Sequence, residues 1–267
     1  MGNAAGAATA DTSSLLKIER RGAVMTVGLN RPAKRNALND GLILAIGDCF
    51  ADIPDDVGAV VIHGVGDHFS SGLDLSELTE HDATGGLIHS QMWHRVFDRI
   101  QYSRVPVIAA LRGAVIGGGL ELACAAHIRV AEPSAYFALP EGQRGIFVGG
   151  GGSVRLPPLL GVARMMDMML TGRTLNAEEG QAIGLSQYLV DEGAGMAKAI
   201  ELAERIAANA PFTNFAVTHM LPRIARSDPA AGFATEALTA AIAQGEEEAK
   251  KRLKAFLEKR GPKVVRG

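Results

Sequence analysis

Two glutamates are set apart by their surroundings. Glu121 is the one carboxylate in "GAVIGGGLELACAAH" (113–127), and Glu141 follows Pro140 in "FALPEGQRGIFVGGGGS" (137–153). A carboxyl among small apolar residues loses hydration, and its proton affinity rises toward neutral pH. Two such groups, joined by one strand passage and facing one pocket, suit paired acid/base chemistry. Each also has a plainer reading. Glu121 could simply favour the positive end of a helix dipole, and Glu141 could be an exposed turn residue.

The glycines at 117, 118 and 119 point the same way. Each costs a helix about 1 kcal/mol relative to alanine, so three at a helix start need a reason. A glycine-rich turn entering a helix presents N–H groups that no helical carbonyl satisfies, and these can hold a phosphate or a developing oxyanion. The alternative is close packing of the helix on the preceding strand. The dinucleotide pattern GxGxxG does not fit, because Leu122 occupies its last position. In "GDHFSSGLDLSEL" (66–78), Leu73 lies between Gly72 and Asp74. This reads as a strand-to-helix loop with an exposed N–H, Asp74 capping the next turn.

The elements that must place these groups are legible in outline. Residues 15–30 read as two short strands around Arg21 and Gly22, by alternation. A helix is expected at 39–53, capped by Asn39 or Asp40, then a buried strand at 58–66. A helix at 85–101 places Ile88, Met92, Val96 and Ile100 near one face. A buried strand at 105–113 precedes a short helix at 118–126, and 127–133 and 135–140 look extended. Beyond 150 helices dominate: 152–160, 162–171, 177–184, 195–209, 212–226, 229–244 and 246–259, with one strand candidate at 185–190. This order predicts an α/β core at 15–195 followed by a helical region at 196–267, with 1–14 as a disordered tail.

Composition narrows the function classes. The 267 residues are 47% hydrophobic, enough for a substantial core, and the net charge of −2 gives no reason to expect nucleic acid or an anionic membrane as partner. No apolar run approaches the ~20 residues of a membrane span. The start "MGNAAG" has Gly6 where a myristoylation signal wants Ser or Thr. Cys49 and Cys124 sit in apolar segments and read as buried thiols of a cytoplasmic protein. His89 and His94 are five apart, not the four that places two ligands on one helix face, and His63 and His68 flank a turn, so no metal is expected.

Taken together, "LNRPAKRNAL" (29–38), "HFSSGLDLSEL" (68–78), "VPVIAALRGAVIGGGLELACAAHIRVA" (105–131), "FALPEGQRGIFVGGGGSVRLPPLLG" (137–161), "MMLTGRTLNAEEGQAIGLSQYLV" (168–190) and "AFLEKR" (255–260) resemble the crotonase (enoyl-CoA hydratase/isomerase) superfamily, in order and in spacing. The resemblance implies a crotonase-like spiral of β-β-α units, a C-terminal helical region that forms a homotrimer or a hexamer of two trimers, and an acyl-CoA thioester as substrate. It implies no separate cofactor. It places an oxyanion hole on the N–H groups of Leu73 and Gly118, and an acid/base pair on Glu121 and Glu141, both of which the hydratases keep. In that reading Glu121 takes a proton from water as it adds to C3 of a 2-enoyl thioester, and Glu141 delivers one to C2. The motifs carry the pair more than its division of labour. For CoA the resemblance points to the run 34–38, with Lys34, Arg35 and Ala37, to the turn around Ser71, Leu73 and Leu75, and to Phe256 and Lys259 reaching a neighbouring subunit's nucleotide.

Two departures bear on the acyl group. Phe147 and Val148 stand in a loop where close hydratases carry a proline, and Trp93 and His94 lie where an unusual acyl group would contact the helix. The chlorobenzoyl-CoA dehalogenase branch is similar around His94, but it needs an aspartate near Gly149, and none is present. A double-bond isomerase, an aromatic hydratase-lyase and a non-catalytic acyl-CoA binder are the alternatives. The lyase needs a phenol-binding tyrosine, and Tyr102, Tyr136 and Tyr188 all lie outside the C-terminal helices.

Overall fold

The computed structural model describes residues 15–77, 82–258 and 260. Among them, strands β1 (Leu16–Arg21), β2 (Val24–Leu29), β3 (Ala59–Gly64), β4 (Val107–Leu111), β6 (Ile128–Ala131) and β8 (Tyr188–Leu189) form a sheet in the order β1-β2-β3-β4-β6-β8. β1 and β2 are an antiparallel hairpin, and every later pairing is parallel. β5 (Ala114–Ile116) and β7 (Tyr136–Ala138) form a second, two-stranded parallel sheet. The chain visits the large sheet, then the small one, then a helix, and repeats.

The central strands are buried on both faces, which is why they read as continuous apolar runs. Alternation still sorts their side chains. Val24, Val61, Ile108, Ala110 and Val130 meet Ala199, Leu202 and Ala203 of helix α8 (Gly195–Ala207). Val27, Val60, Ile62, Val107 and Leu111 face the main core, with Leu42, Ile43 and Ile46 of α1 (Asp40–Ala51) and Phe97 and Ile100 of α2 (Ala83–Gln101). Asn39 caps α1 by accepting from Leu42 N at 3.0 Å, as expected. α3 (Gly118–Ala125) is buried at every position, so Glu121 enters the core with it.

Two expected helices are divided, and proline is the cause in each. The 152–160 helix is α4 (Gly152–Arg155) and α5 (Pro157–Leu160), Pro157 restarting the helix at a position where its missing N–H costs nothing. The 212–226 helix is α9 (Pro211–Phe215), a π-turn over Ala216–Met220 and α10 (Leu221–Ile224). Pro222 cannot donate to the carbonyl four residues back and crowds it, and a wider turn relieves that contact. α6 (Val162–Thr171), α7 (Ala177–Ala182), α11 (Pro229–Gly245) and α12 (Glu247–Leu257) follow the expectation to within a few residues. The expected tail at 1–14 lies outside the described residues. No helix among the described residues is long and apolar enough to cross a membrane.

Candidate functional site

The site is assembled where the loop after β3 meets the turn from β5 into α3. Ser70 N and O pair with Ala114 O and Ile116 N of β5 at 2.9 and 3.1 Å. Leu73 forms a parallel bridge with Leu38, made by Leu38 N to Gly72 O (2.8 Å) and Asp74 N to Leu38 O (2.9 Å). In such a bridge the N–H of Leu73 itself faces the opposite side. Ser70 and Leu73 therefore present their amides toward the same flank although they are three residues apart. Strict strand alternation allows this only for residues two apart, and the phase shift occurs at Gly72, with φ +85°. A Cβ on Gly72 would meet Ile116 O at 2.6 Å and Gly118 N at 3.3 Å, so this turn abuts the start of α3. Among the described residues, neither Leu73 N nor Gly118 N donates to a main-chain acceptor.

The glycine triplet has a separate reason at each position. Gly117 turns the chain with φ +51°, and a Cβ there would lie 2.6 Å from Glu141 Oε1. A Cβ on Gly118 would meet the Trp93 ring at 2.7 Å, and one on Gly119 would meet Ser70 O at 2.6 Å. These contacts bear out the packing reading of the glycines.

Both carboxyls are buried, with Glu121 2% and Glu141 7% exposed. That overturns the plainer reading of Glu141 as an exposed turn residue. Glu121 Oε1 accepts from Gly152 N at 2.7 Å and Gly150 N at 2.9 Å. Burial pushes Glu121 up to about 7, and the nearby Glu141 charge adds to this, against the two amides and Arg155. Burial also raises Glu141, opposed by its own backbone N–H and by Arg144. Among the described residues, Glu121 Oε2 takes no hydrogen bond and the buried Glu141 Oε2 has no partner. Each carboxyl therefore has an oxygen with no hydrogen-bond partner among the described residues.

Beside Leu73 lies the loop at 31–38, knotted by Asn36. Asn36 is fully buried in a left-handed conformation, φ +53°, which asparagine tolerates. Its Nδ2 donates to His68 O and Val65 O at 2.7 and 2.9 Å, and its Oδ1 accepts from Arg31 N at 2.9 Å. Lys34 is exposed, and its Nζ reaches Asp74 and Ser76 at 3.1 and 2.9 Å. Arg35 is exposed beside it. Ala37 is buried and its carbonyl accepts from Arg31 Nη1 at 2.6 Å. Ser71 N donates to Arg35 O at 3.0 Å, and Leu75 lies half exposed in a short 3-10 turn. The structure thus gathers Lys34, Arg35, Ala37, Ser71 and Leu75 next to Leu73. Asp74 caps Ser76, as expected, and is also ion-paired to Arg31 and Lys34. Burial works to raise its pKa, but Ser76, Lys34 and Arg31 together hold it well below the usual range.

The expected acyl-pocket residues divide. Trp93 is buried against Gly118 and edge-on to Phe97, with ring centroids 5.6 Å apart. Val148 is buried, whereas Phe147 is 69% exposed and His94 is exposed, its Nε2 3.4 Å from Ser90 Oγ. Phe256 is exposed on α12, and Lys259 lies outside the described residues. Among the described residues no group of three or more His, Cys, Asp or Glu is placed to hold a metal ion.

Sequence reasoning missed Asn36, the Gly150 and Gly152 amides, and Arg155. For Asn36 a signal existed, an asparagine after two basic residues in a turn. The amides reach Glu121 across 29 and 31 positions and Arg155 reaches Gln101 and Asp98 across 54 and 57, so these contacts carry no local signal.

An α/β fold that sets a helix N-terminus beside two buried carboxyls suits acid/base chemistry, and the class of enzyme follows from its relatives. The profile of the enoyl-CoA hydratase/isomerase family matches residues 19–265. The chain belongs to that family. It is 33% identical to the short-chain-enoyl-CoA hydratase of Clostridium acetobutylicum, covering 91% of this chain and 94% of that one. It is 32% identical to the 2,3-dehydroadipyl-CoA hydratase of Escherichia coli K12, covering 93% and 98%. Among solved structures, a candidate enoyl-CoA hydratase from Rhodopseudomonas palustris CGA009 superposes with a TM-score of 0.92 at 66% identity, covering 96% of this chain and 98% of that one. The enoyl-CoA hydratase of Bacillus anthracis gives 0.87 at 29% identity, covering 94% and 98%. The crotonase-like spiral expected from the sequence is the fold observed.

Proposed function

We propose that the protein adds water reversibly across the 2,3 double bond of a 2-enoyl-CoA thioester. The observation that carries this is the pair of buried carboxyls beside two main-chain amides that donate to no main-chain acceptor among the described residues. The thioester oxygen sits between Leu73 N–H and Gly118 N–H. As water adds to C3, negative charge moves onto that oxygen. The amides and the α3 dipole then bind it more strongly than the ground-state carbonyl, which is the condition for acceleration. Glu121 takes the proton from water at Oε2, its Oε1 being held by Gly150 and Gly152. Glu141, its proton affinity raised by burial, delivers a proton to C2. The adduct is the 3-hydroxyacyl thioester, and no atom is left unbalanced.

Lys34 and Arg35 meet the CoA phosphates, and Ala37, Ser71 and Leu75 line the path of the pantetheine. Coenzyme A is part of the substrate, and no step requires a separate cofactor or a metal. Trp93 and Val148 bound the acyl group on the Gly118 side. Phe147, His94 and Phe256 contribute only from the surface or from a neighbouring subunit. A trimer, alone or paired into a hexamer, is supported by apolar side chains left open on α6, α11 and α12, among them Leu170, Phe233 and Leu238. A cytoplasmic setting accords with the free thiols Cys49 and Cys124. The test is conversion of crotonyl-CoA to 3-hydroxybutyryl-CoA by the purified protein. Binding without conversion would favour a non-catalytic acyl-CoA carrier, and 3-enoyl to 2-enoyl conversion without hydration would favour an isomerase.

A further inference from the structure

Arg155 is a buried cation that the mechanism above does not use. Its side chain is 6% exposed. Its fork is divided among three acceptors: Nη2 to Asp98 Oδ1 at 2.6 Å, Nε to Gln101 Oε1 at 2.7 Å, and Nη1 to Gly150 O at 2.9 Å. Gly150 is therefore gripped at both ends, its carbonyl by Arg155 and its N–H by Glu121 Oε1. Gly151 between the two clamping amides has φ +94°, and a Cβ there would lie 2.2 Å from Arg155 Nη1. The loop is built to let the guanidinium pass.

We propose that Arg155 is a positioning residue for catalysis: anchored on α2 by Asp98 and Gln101, it fixes the 150–152 loop whose amides hold Glu121 and sets a buried cation beside that carboxyl. The inference deepens the hydratase reading and rests on it for its catalytic meaning. The charges around Glu121 are few. Glu141 faces it from the loop after β7 and raises its proton affinity, and Arg155 on α4 lowers it. From α2 come Asp98, paired with Arg155, and His94, whose Cδ2 lies 3.6 Å from the Cβ position of Gly151. On α3 itself Cys124 is a neutral thiol, pushed up to about 11 by burial. β5 brings no titratable group. Among the described residues Arg155 is the cation whose charge lowers the proton affinity of Glu121, and Asp98 is its half-exposed counter-charge.

That arrangement gives substitutions of opposite sign. Arg155→Met removes the cation, so Glu121 should hold its proton to higher pH, by about one pH unit. Asp98→Asn leaves Arg155 less compensated, so Glu121 should ionise at lower pH. The readout is the 13C titration of the Glu121 carboxyl, assigned by its disappearance in Glu121→Gln, with the acid limb of kcat/KM for crotonyl-CoA measured alongside. Shifts in opposite directions support the proposal. A merely structural arginine gives no shift, or shifts of one sign in both variants, and either result overturns it. Should Arg155→Met not fold, Asp98→Asn at an exposed side chain still decides, because an unmoved titration refutes the charge coupling. Absence of any hydration by the wild type, with the titrations shifted as expected, would overturn the hydratase reading and leave the coupling standing.

Discussion

Gly117 and Glu141 approach so closely that a methyl group on the glycine would lie 2.6 Å from the glutamate Oε1. A carboxyl from the small-sheet loop is thereby pressed onto the entrance of α3, one helical turn from Glu121, whose N–H bonds Gly117 O at 3.0 Å. Gly117→Ala should displace Glu141 before it disturbs the core. We expect a fall in kcat of at least tenfold with KM for the thioester within a fewfold, measured by steady-state kinetics.

Gly72 sets the direction of the Leu73 peptide. Its φ of +85° and the 2.6 Å approach of Ile116 O to its Cβ position make alanine unacceptable without a shift of the Leu73 peptide. Gly72→Ala should lower kcat about 10²-fold, the scale of losing one oxyanion donor. Unchanged kcat would remove Leu73 from the hole.

The basic pair at the start of the chain's first helical loop should act on binding. On the proposed reading Lys34→Ala and Arg35→Ala each remove a charge assigned to the CoA phosphates, worth about 1.5–3 kcal/mol when the bond is charge-assisted. KM for CoA thioesters should rise about tenfold or more, with kcat held, and the wild-type advantage should shrink as salt is added. KM for a pantetheine thioester lacking the nucleotide should not change.

Burying Glu121 has a thermodynamic signature. Its folded proton affinity is raised from an ordinary carboxyl to about 7, so between about pH 4.5 and 7 the folded chain binds more protons than the unfolded one. Stability then falls as pH rises through that window and levels off above it. Glu121→Gln keeps an oxygen for the Gly150 and Gly152 amides and removes the penalty. The variant should be more stable than wild type at pH 8 by up to about 3 kcal/mol, with the difference vanishing near pH 4. Chemical denaturation at the two pH values measures it.

How far the sequence reached follows from the range of the interactions involved. The hairpin at 15–30, the capped helix at Asn39 and the buried strands were legible because alternation and capping act between near neighbours. The site was legible as motifs, through Gly118, Glu121, Leu73 and Glu141, but not as geometry. The phase shift at Gly72 depends on Ile116, more than forty residues away, and the burial of Glu141 on the bend at Gly117. The Arg155, Asp98 and Gln101 cluster joins α2 to α4 across more than fifty positions. Pro222 was visible in the sequence, yet its effect was a π-turn within a helical stretch and not a helix end, because the neighbouring turns stay helical on both sides.

The most direct test of the account compares crotonyl-CoA hydration by wild type, Glu121→Gln and Glu141→Gln. Either substitution alone should lower kcat by about 10²–10⁴-fold while leaving thioester binding nearly intact. Equal turnover by all three proteins would contradict the paired-carboxyl mechanism.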